Sequence, residues 1–419
     1  MAKLSTEFLQ RYEFDWELLD VIVGGKSAID SRNHLRARSS EDIESFMDCY
    51  GYDLSNPIEK AELFGNFQEA LSFIRKYFLK PDNPDGLKLE IPRKITEITD
   101  IAQLLGAAML PEPNPGQATT GLWACAILKV MHTVAHMDKD LRGAYFKDVQ
   151  TQIFDRFYKF IHSDENGQVY LGKDARDPER VDLALFESKP KKARDSLVLK
   201  MLHKPENVAE DIFDRVGMRF VVKNRFDALR IIKFLKDRYV IMPANIKPSR
   251  SRNTLIDTRA FSEHLRNLLD DLQNDKLPVR EFEEKLVEFF NAKTGLPKAD
   301  LENPHTSEFY ESIQFTGRQL VKIKNPLYDD LKDLKTELAG VSGLPEKVLQ
   351  IVERMDLTNI QKEIRFFYPF EVQIYDEASY KEAQEGQSSH SNYKKSQIQA
   401  AMKRVMSGLI VYYKDQLDL

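Results

Sequence analysis

Hydrophobic positions in the first 165 residues recur with the three-to-four-residue spacing of amphipathic helices. Serines followed by acids at Ser39–Asp42 predict one helix start, and proline-rich segments at 81–86 and 111–116 predict helix ends. Further helices are predicted at residues 58–79, 98–110 and 121–136. The last of these is the most apolar, so we expect it to be buried within a helical N-terminal domain.

From residue 169 onward, short alternating stretches of the kind found in strands are separated by helical ones. Strands are predicted at residues 181–186, 214–222, 238–242, 319–323 and 370–375. Helices are predicted at residues 227–236, 260–273, 279–292, 327–355 and 396–409. This mixture indicates an α/β (α+β) domain, and we expect the last helix to pack on its sheet.

The strand at 370–375 has one apolar and one polar face. Val372 and Ile374 point one way, and Glu371, Gln373 and Tyr375 point the other, because side chains alternate along a strand. One interpretation is an edge strand with a merely exposed glutamate. The other is a functional face that carries a carboxylate, an amide and a phenol.

Composition narrows the class of protein. With 419 residues the chain has room for two or three domains, and its net charge of -5 argues against a whole-surface nucleic-acid binder. Two cysteines, Cys49 and Cys125, are too few for a disulfide framework or a thiolate metal site. No apolar run approaches the ~20 residues of a membrane span, and no signal-peptide core is present. We expect a cytoplasmic protein.

Two features suggest charged ligands. Residues 188–204 hold six Lys or Arg against one acid, and residues 245–252 form a second basic loop without an acid. Both segments are either solvated loops or cradles for phosphate groups.

His132 and His136 share a helix face, which makes a metal site conceivable, but no third ligand is placed by the sequence. We therefore interpret them as core or cap histidines.

The segment after the strand at 370–375 carries Gly386, His390, Tyr393 and Lys394. This order resembles the closing motif of the RelA/SpoT family of alarmone synthetases, in which a Glu-x-Gln strand leads into such a helix. Tyr375 stands where the family usually has Arg. The long members of the family also carry a hydrolase with a His-Asp motif, and this chain has no adjacent His-Asp pair. The N-terminal 1–165 is therefore expected to be an accessory domain.

Further motifs of the family follow in order, and the resemblance assigns them roles. Lys192, Ser196 and Lys200 match the segment that holds the ATP phosphates, although Pro190 replaces an Arg, for which Lys191 or Arg194 could substitute. Asp214, Gly217 and Arg219 match the strand whose Asp binds magnesium, and Lys247 matches a phosphate-binding lysine. Tyr310 matches the tyrosine that stacks on the acceptor base, with Phe309 replacing a Gly and Gln314 a His.

The resemblance implies a nucleotidyltransferase-like, mixed five-stranded sheet flanked by helices, within a synthetase domain at 166–419. Helical insertions at about 254–304 and 327–355 interrupt it. The implied function is ATP-dependent pyrophosphate transfer to the ribose 3′-hydroxyl of GDP or GTP. The products are guanosine tetraphosphate from GDP and guanosine pentaphosphate from GTP, the alarmones of the stringent response. Asp214 and Glu371 would hold Mg²⁺, with Glu371 alternatively accepting the hydroxyl proton.

The implied contacts to the acceptor nucleotide come from residues in three motifs, namely Tyr310, Gln373, His390 and Lys394. Two alternatives remain open. The same chemistry could act on the 3′ end of tRNA, which a basic groove near Arg250 and Arg252 would favour. Alternatively, the changed positions could mark a degenerate domain that binds nucleotide as a sensor without catalysis.

Overall fold

The computed structural model describes residues 16–30, 37, 39–110, 118–140, 143, 145–189, 193–204, 215–291, 311–385 and 390–414. The helices are α1 Trp16–Val23, α2 Ser40–Tyr50, α3 Pro57–Phe78, α4 Arg93–Thr96, α5 Ile101–Met109, α6 Ala118–Asp138, α7 Phe146–Tyr158, α8 Arg194–His203, α9 Arg225–Asp237, α10 Thr258–Gln273, α11 Val279–Asn291, α12 Pro326–Ala339, α13 Glu346–Arg354, α14 Glu377–Glu385, α15 His390–Val405 and α16 Ser407–Tyr412. The strands are β1 Ile161–Ser163, β2 Val169–Leu171, β3 Val181–Asp182, β4 Leu185–Ser188, β5 Gly217–Val222, β6 Arg252–Asn253, β7 Ile313–Lys324 and β8 Glu363–Asp376.

The chain divides into two compact units, each built from separate segments. The helical unit contains the described parts of 1–143, 192–212 and 389–419, and the sheet unit those of 144–191 and 213–388. This division differs from the expected boundary at residue 165. Helix α7 belongs to the sheet unit because Val149, Ile153 and Phe157 are buried in the core of that unit.

The helical unit is built around α6, whose burial was predicted correctly. Trp123, Ile127 and Val130 of this helix are at most 1% exposed, and they share a core with α3, α5 and α8. The cap expected from the sequence fixes the start of α2, since the Ser39 side chain accepts a hydrogen bond from the Asp42 amide. None of the helices in the described residues is both long enough and apolar enough for a membrane span.

The sheet unit contains two sheets. Strands β1, β2 and β3 form a small antiparallel sheet, and the larger sheet has the order β4-β5-β8-β7-β6. In the larger sheet only β5 and β8 run parallel, and the other neighbours are antiparallel. The predicted α+β fold, with a helical N-terminal region and a mixed five-stranded sheet flanked by helices, is therefore confirmed.

One face of the larger sheet carries the core. Phe220 and Val222 of β5 and Val372 and Ile374 of β8 are fully buried there, together with apolar side chains of α7 and α9. The alternation of β8 thus directs its hydrophobic residues to the helices, as the sequence predicted. It leaves the opposite face to Glu371, Gln373 and Tyr375.

Two predicted elements are wrong. Residues 238–242 form turns. Tyr239, just after α9, has a left-handed backbone conformation (φ 55°), and the Val240 amide donates a hydrogen bond to the Leu235 carbonyl. Val240 and Ile241 are buried from this turn without needing a strand. The C-terminal helix does not pack on the sheet either. It breaks at Met406 into α15 and α16, whose apolar residues are buried in the core of the helical unit.

The close pairing of β7 and β8 allows a stability test. Gly317 lies opposite Phe370, and a Cβ atom at residue 317 would approach Phe370 Cζ to 2.6 Å. We expect Gly317→Ala to destabilise the protein by about 1–3 kcal/mol through overpacking. Urea unfolding followed by far-UV circular dichroism measures the change. The matched control is Gly65→Ala, at an open helical position of α3, where we expect a gain of about 0.5–1 kcal/mol. Equal or greater stability of Gly317→Ala would contradict the described packing.

Candidate active site

A row of polar side chains crosses all five strands of the larger sheet. Strand register pairs Glu187 with Arg219, Arg219 with Gln373, Gln373 with Gln314, and Gln314 with Arg252. Residues directly opposite one another on neighbouring strands point to the same face. The row therefore lies on the face that the apolar core leaves open to polar side chains.

A second row contains Glu371. In this row Glu371 lies opposite Gly217 on one side and opposite Thr316 on the other. The Lys189 amide donates to the Gly217 carbonyl at 2.8 Å, and the Lys247 amide donates to the Thr316 carbonyl at 2.9 Å. Five chain segments thus form a row with Glu371 at its centre and one lysine at each end.

The Glu371 carboxylate is buried and already bonded at both oxygens. Its side chain is 8% exposed, and the Lys189 ammonium, itself 17% exposed, lies 2.5 Å from Oε2. The Gln314 amide donates to Oε1. Because burying an unpaired carboxylate is costly, these two partners explain how Glu371 is tolerated in the sheet.

Arg219 is held by four neighbours. Its Nη1 donates to the Glu187 carboxylate, and its Nε lies 3.5 Å from Gln373 Oε1. The guanidinium also lies 5.7 Å from the ring centre of Tyr375 and 5.6 Å from that of Tyr380. Tyr375 therefore brings an aromatic ring to an arginine from the neighbouring strand.

The structure brings together one part of the predicted site. Glu371, Gln373, Arg219 and Lys247 all lie in the two polar rows of the sheet unit. Asp214, Lys192 and Tyr310 lie outside the described residues. The roles that the resemblance gives to these three positions remain predictions.

The other predicted residues belong to the helical unit. Ser196 and Lys200 lie on α8, and Lys394 lies on the neighbouring α15, which begins at His390. Burial raises the pKa of Asp195 at the start of α8, but Lys76, Tyr77 and Lys394 outweigh it and hold that pKa below its usual value. Lys394 is thus close enough to the start of α8 to act on its charges.

Arg194 does not replace the arginine that is missing at Pro190. Its guanidinium donates to both Glu69 and Asp138, with distances of 2.6–3.0 Å. These ion pairs raise the pKa of Arg194 far above its normal value. Arg194 thus links α8 to Glu69 of α3 and Asp138 of α6 through ion pairs. Stacking of its guanidinium on adenine would require both ion pairs to break.

The described part of the chain does not provide a complete magnesium site. Within it, no group of three or more His, Cys, Asp or Glu side chains is arranged to hold a metal ion. The carboxylate oxygens of Glu371 are the kind of ligand that Mg²⁺ prefers, but they already accept hydrogen bonds from Lys189 and Gln314. As they stand, the described residues do not fit the ion, and the predicted pairing of Glu371 with Asp214 is untested.

His132 behaves as a structural histidine. The Tyr50 hydroxyl lies 2.5 Å from His132 Nδ1, and the two imidazole rings are 4.3 Å apart. Burial, and then the neighbouring His136, lower the pKa of His132 to about 4. His132 is therefore neutral at pH 7 and is packed against aromatic rings, which agrees with the core interpretation.

Sequence reasoning missed Lys189 as the partner of Glu371. The only available signal was its place at the start of the basic segment, directly after a predicted strand. Its role depends on the antiparallel register of β4 with β5, which no local pattern specifies.

Sequence reasoning also missed a pocket of about 280 Å³ at the carboxyl ends of β5 and β8. Ligands often bind at such a position in α/β sheets. Its charged lining, Lys223 and Arg225 against Asp376 and Glu377, is balanced in sign. Arg225 is itself tied to Asp376 at 2.6 Å, so the pocket favours no particular ligand charge.

Comparisons of the chain with protein-family models, with curated proteins and with solved structures give no match.

The lowered pKa of His132 predicts a pH dependence of stability. The unfolded chain takes up this proton near pH 6.5, whereas the folded protein takes it up only near pH 4, so stability falls as the pH drops between these values. We expect His132→Gln to remove roughly 2 kcal/mol of the loss between pH 7 and pH 5. Urea unfolding at both pH values, followed by the fluorescence of buried Trp123, measures it. Equal losses in wild type and variant would contradict the assignment.

Proposed function

We propose that this protein transfers pyrophosphate from ATP to a ribose 3′-hydroxyl, with GDP or GTP as acceptor, in the manner of RelA/SpoT-like synthetases. The observation that carries the proposal is the parallel register of β5 and β8. It sets Gly217 opposite Glu371 and Arg219 opposite Gln373, so residues of two motifs more than 150 positions apart share one polar face. The same face bears Gln314, at the position where the family has a histidine.

The reaction needs positioning and charge neutralisation more than covalent chemistry. The acceptor oxygen attacks the β-phosphorus of ATP, the bond from that phosphorus to the α–β bridging oxygen breaks, and AMP leaves with the electron pair. The hydroxyl proton must pass to a base. Glu371 is the proposed acceptor, because a carboxylate has about four lone-pair sites and can accept another hydrogen bond while it is paired with Lys189.

Cations of the proposed site would neutralise the phosphates. In the sheet unit, Arg219 and Lys247 are the proposed cations. Mg²⁺ remains the proposed cofactor on the strength of the resemblance, through Asp214 and the substrate phosphates. A cytoplasmic location is also proposed, since Cys49 and Cys125 do not form a disulfide.

A second candidate function is nucleotide binding without turnover. It is favoured by the bonding of Glu371, whose two oxygens are engaged by Lys189 and Gln314. In such a sensor the polar face would hold a nucleotide, and the ion pair would persist in the bound state.

Labelled ATP separates the candidates. We expect purified protein with ATP labelled at the γ-phosphate and Mg²⁺ to move label onto GDP or GTP, because the transferred pyrophosphate carries that phosphorus. Thin-layer chromatography detects the product, and a parallel reaction contains tRNA in place of the guanosine nucleotide. Label on tRNA alone would contradict the alarmone version and favour the tRNA version. Label on neither acceptor, with nucleotide binding seen by calorimetry, would favour the sensor.

The role of Glu371 has its own test. We expect Glu371→Gln to slow label transfer by roughly 10²–10⁴-fold, the usual contribution of a general base. Glu363→Gln is the matched control, because Glu363 lies on the same strand, far along from the polar rows, and pairs only locally with Arg365. Transfer by Glu371→Gln at the wild-type rate would remove this carboxylate from the mechanism.

A further inference from the structure

Lys189 reaches Glu371 by crossing a whole strand. Lys189 follows β4 at the edge of the sheet, and Glu371 lies on β8, with β5 between them. Neighbouring strands are about 4.8 Å apart, so the lysine stem must pass over β5 to bring its ammonium to the carboxylate. The 2.8 Å bond from the Lys189 amide to the Gly217 carbonyl fixes the starting point of this crossing.

Gly217 has no side chain, and this leaves the space in which the Lys189 side chain crosses β5. A Cβ atom at residue 217 would lie 2.8 Å from Lys189 Cδ and 3.4 Å from Cγ, so any side chain there would push the lysine stem aside. The backbone of Gly217 does not have a positive φ, and conformational freedom therefore does not explain the glycine. The close approach of the lysine does.

The crossing gives Glu371 a positive neighbour in the nucleotide-free structure. Both side chains are largely buried, so a second cation at Oε2 would be repelled by the Lys189 ammonium at short range. At Oε1 the carboxylate accepts from the Gln314 amide, so a divalent ion would have to displace that amide or lie beside the lysine charge.

We propose that Lys189 is a positioning residue whose ammonium group stays paired with the Glu371 carboxylate. This pairing keeps divalent ions off the carboxylate while no nucleotide is bound. Gly217 is required because it opens the path of the lysine. A bound polyphosphate would offer the ammonium an alternative anion. The inference rests on the proposed function for its choice of a divalent ion as the competitor.

Manganese binding tests this without any turnover. We titrate Mn²⁺ into nucleotide-free protein at pH 7.5 and follow free Mn²⁺ by electron paramagnetic resonance. Lys189→Met is expected to gain a site that binds at least tenfold tighter than in wild type. The double variant Lys189→Met/Glu371→Gln is expected to lose it. Lys322→Met, at an exposed position on β7, is the matched control and should titrate as wild type.

Gly217→Ala provides a second route that keeps both charges in the protein. Its methyl group moves the lysine stem, so we expect the same gain in Mn²⁺ affinity, and circular dichroism confirms that each variant is folded. Wild-type titration curves for both Lys189→Met and Gly217→Ala would overturn the proposal. So would a wild-type Mn²⁺ site that Glu371→Gln abolishes, since the carboxylate would then be open with the lysine present.

The outcome is independent of the label-transfer result. If the variants gain a Mn²⁺ site and the wild type transfers no label, the proposed pyrophosphate transfer is wrong and the proposed role of Lys189 is supported. If the wild type transfers label and the variants gain no Mn²⁺ site, the proposed role of Lys189 is wrong and the proposed pyrophosphate transfer is supported.

Discussion

The parallel pairing of β5 with β8 is the constraint on which the polar face depends. Its register sets Gly217 beside Glu371 and Arg219 beside Gln373. A slip of one residue would turn each of these side chains to the opposite face. The core prevents such a slip, because it would expose Val372 and Ile374 and bury carboxylate and amide groups among apolar helices. Hydrophobic burial on one face thus fixes the chemistry of the other.

The same constraint explains where the chain accepts extra helices. Parallel strands need a long crossover connection, and between β5 and β8 the chain runs through α9 to α13 together with β6 and β7. The helical pairs α10–α11 and α12–α13 both fall inside this connection, and they lie where helices were predicted at 260–273, 279–292 and 327–355. Because they lie outside the β5–β8 register, their addition leaves the two polar rows intact.

Several features could be predicted from the sequence because the signal is local. The alternation from Phe370 to Tyr375 needs only the period of a strand, and the burial of α6 needs only its composition. The partner of Glu371 could not be predicted this way, because Lys189 is 182 residues away in the sequence and acts through strand register. The error at 238–242 has the same origin, since apolar residues such as Val240 indicate burial without specifying a strand.

The C-terminal helices show a related limit. An amphipathic pattern identifies the face that is buried, but it does not identify the core that receives it. Residues 390–414 follow the sheet unit in the chain, yet Ala401 and Met402 are buried in the helical unit. Likewise, α7 precedes the first strand and belongs to the sheet unit. Domain boundaries drawn along the sequence therefore misplace segments that cross between units.

Under the role proposed for Lys189, the charged pair in the polar face would couple the binding of two ligands that need not contact each other. Burying ions is expensive, and a buried pair such as Lys189 and Glu371 contributes little net stability once desolvation is counted. Such a pair is more easily understood as a switchable contact. If a phosphate attracts the ammonium, the carboxylate becomes available to a cation, and by thermodynamic reciprocity a cation on Glu371 strengthens the binding of the phosphate. Nucleotide and cation would then bind together through one lysine that passes over one glycine.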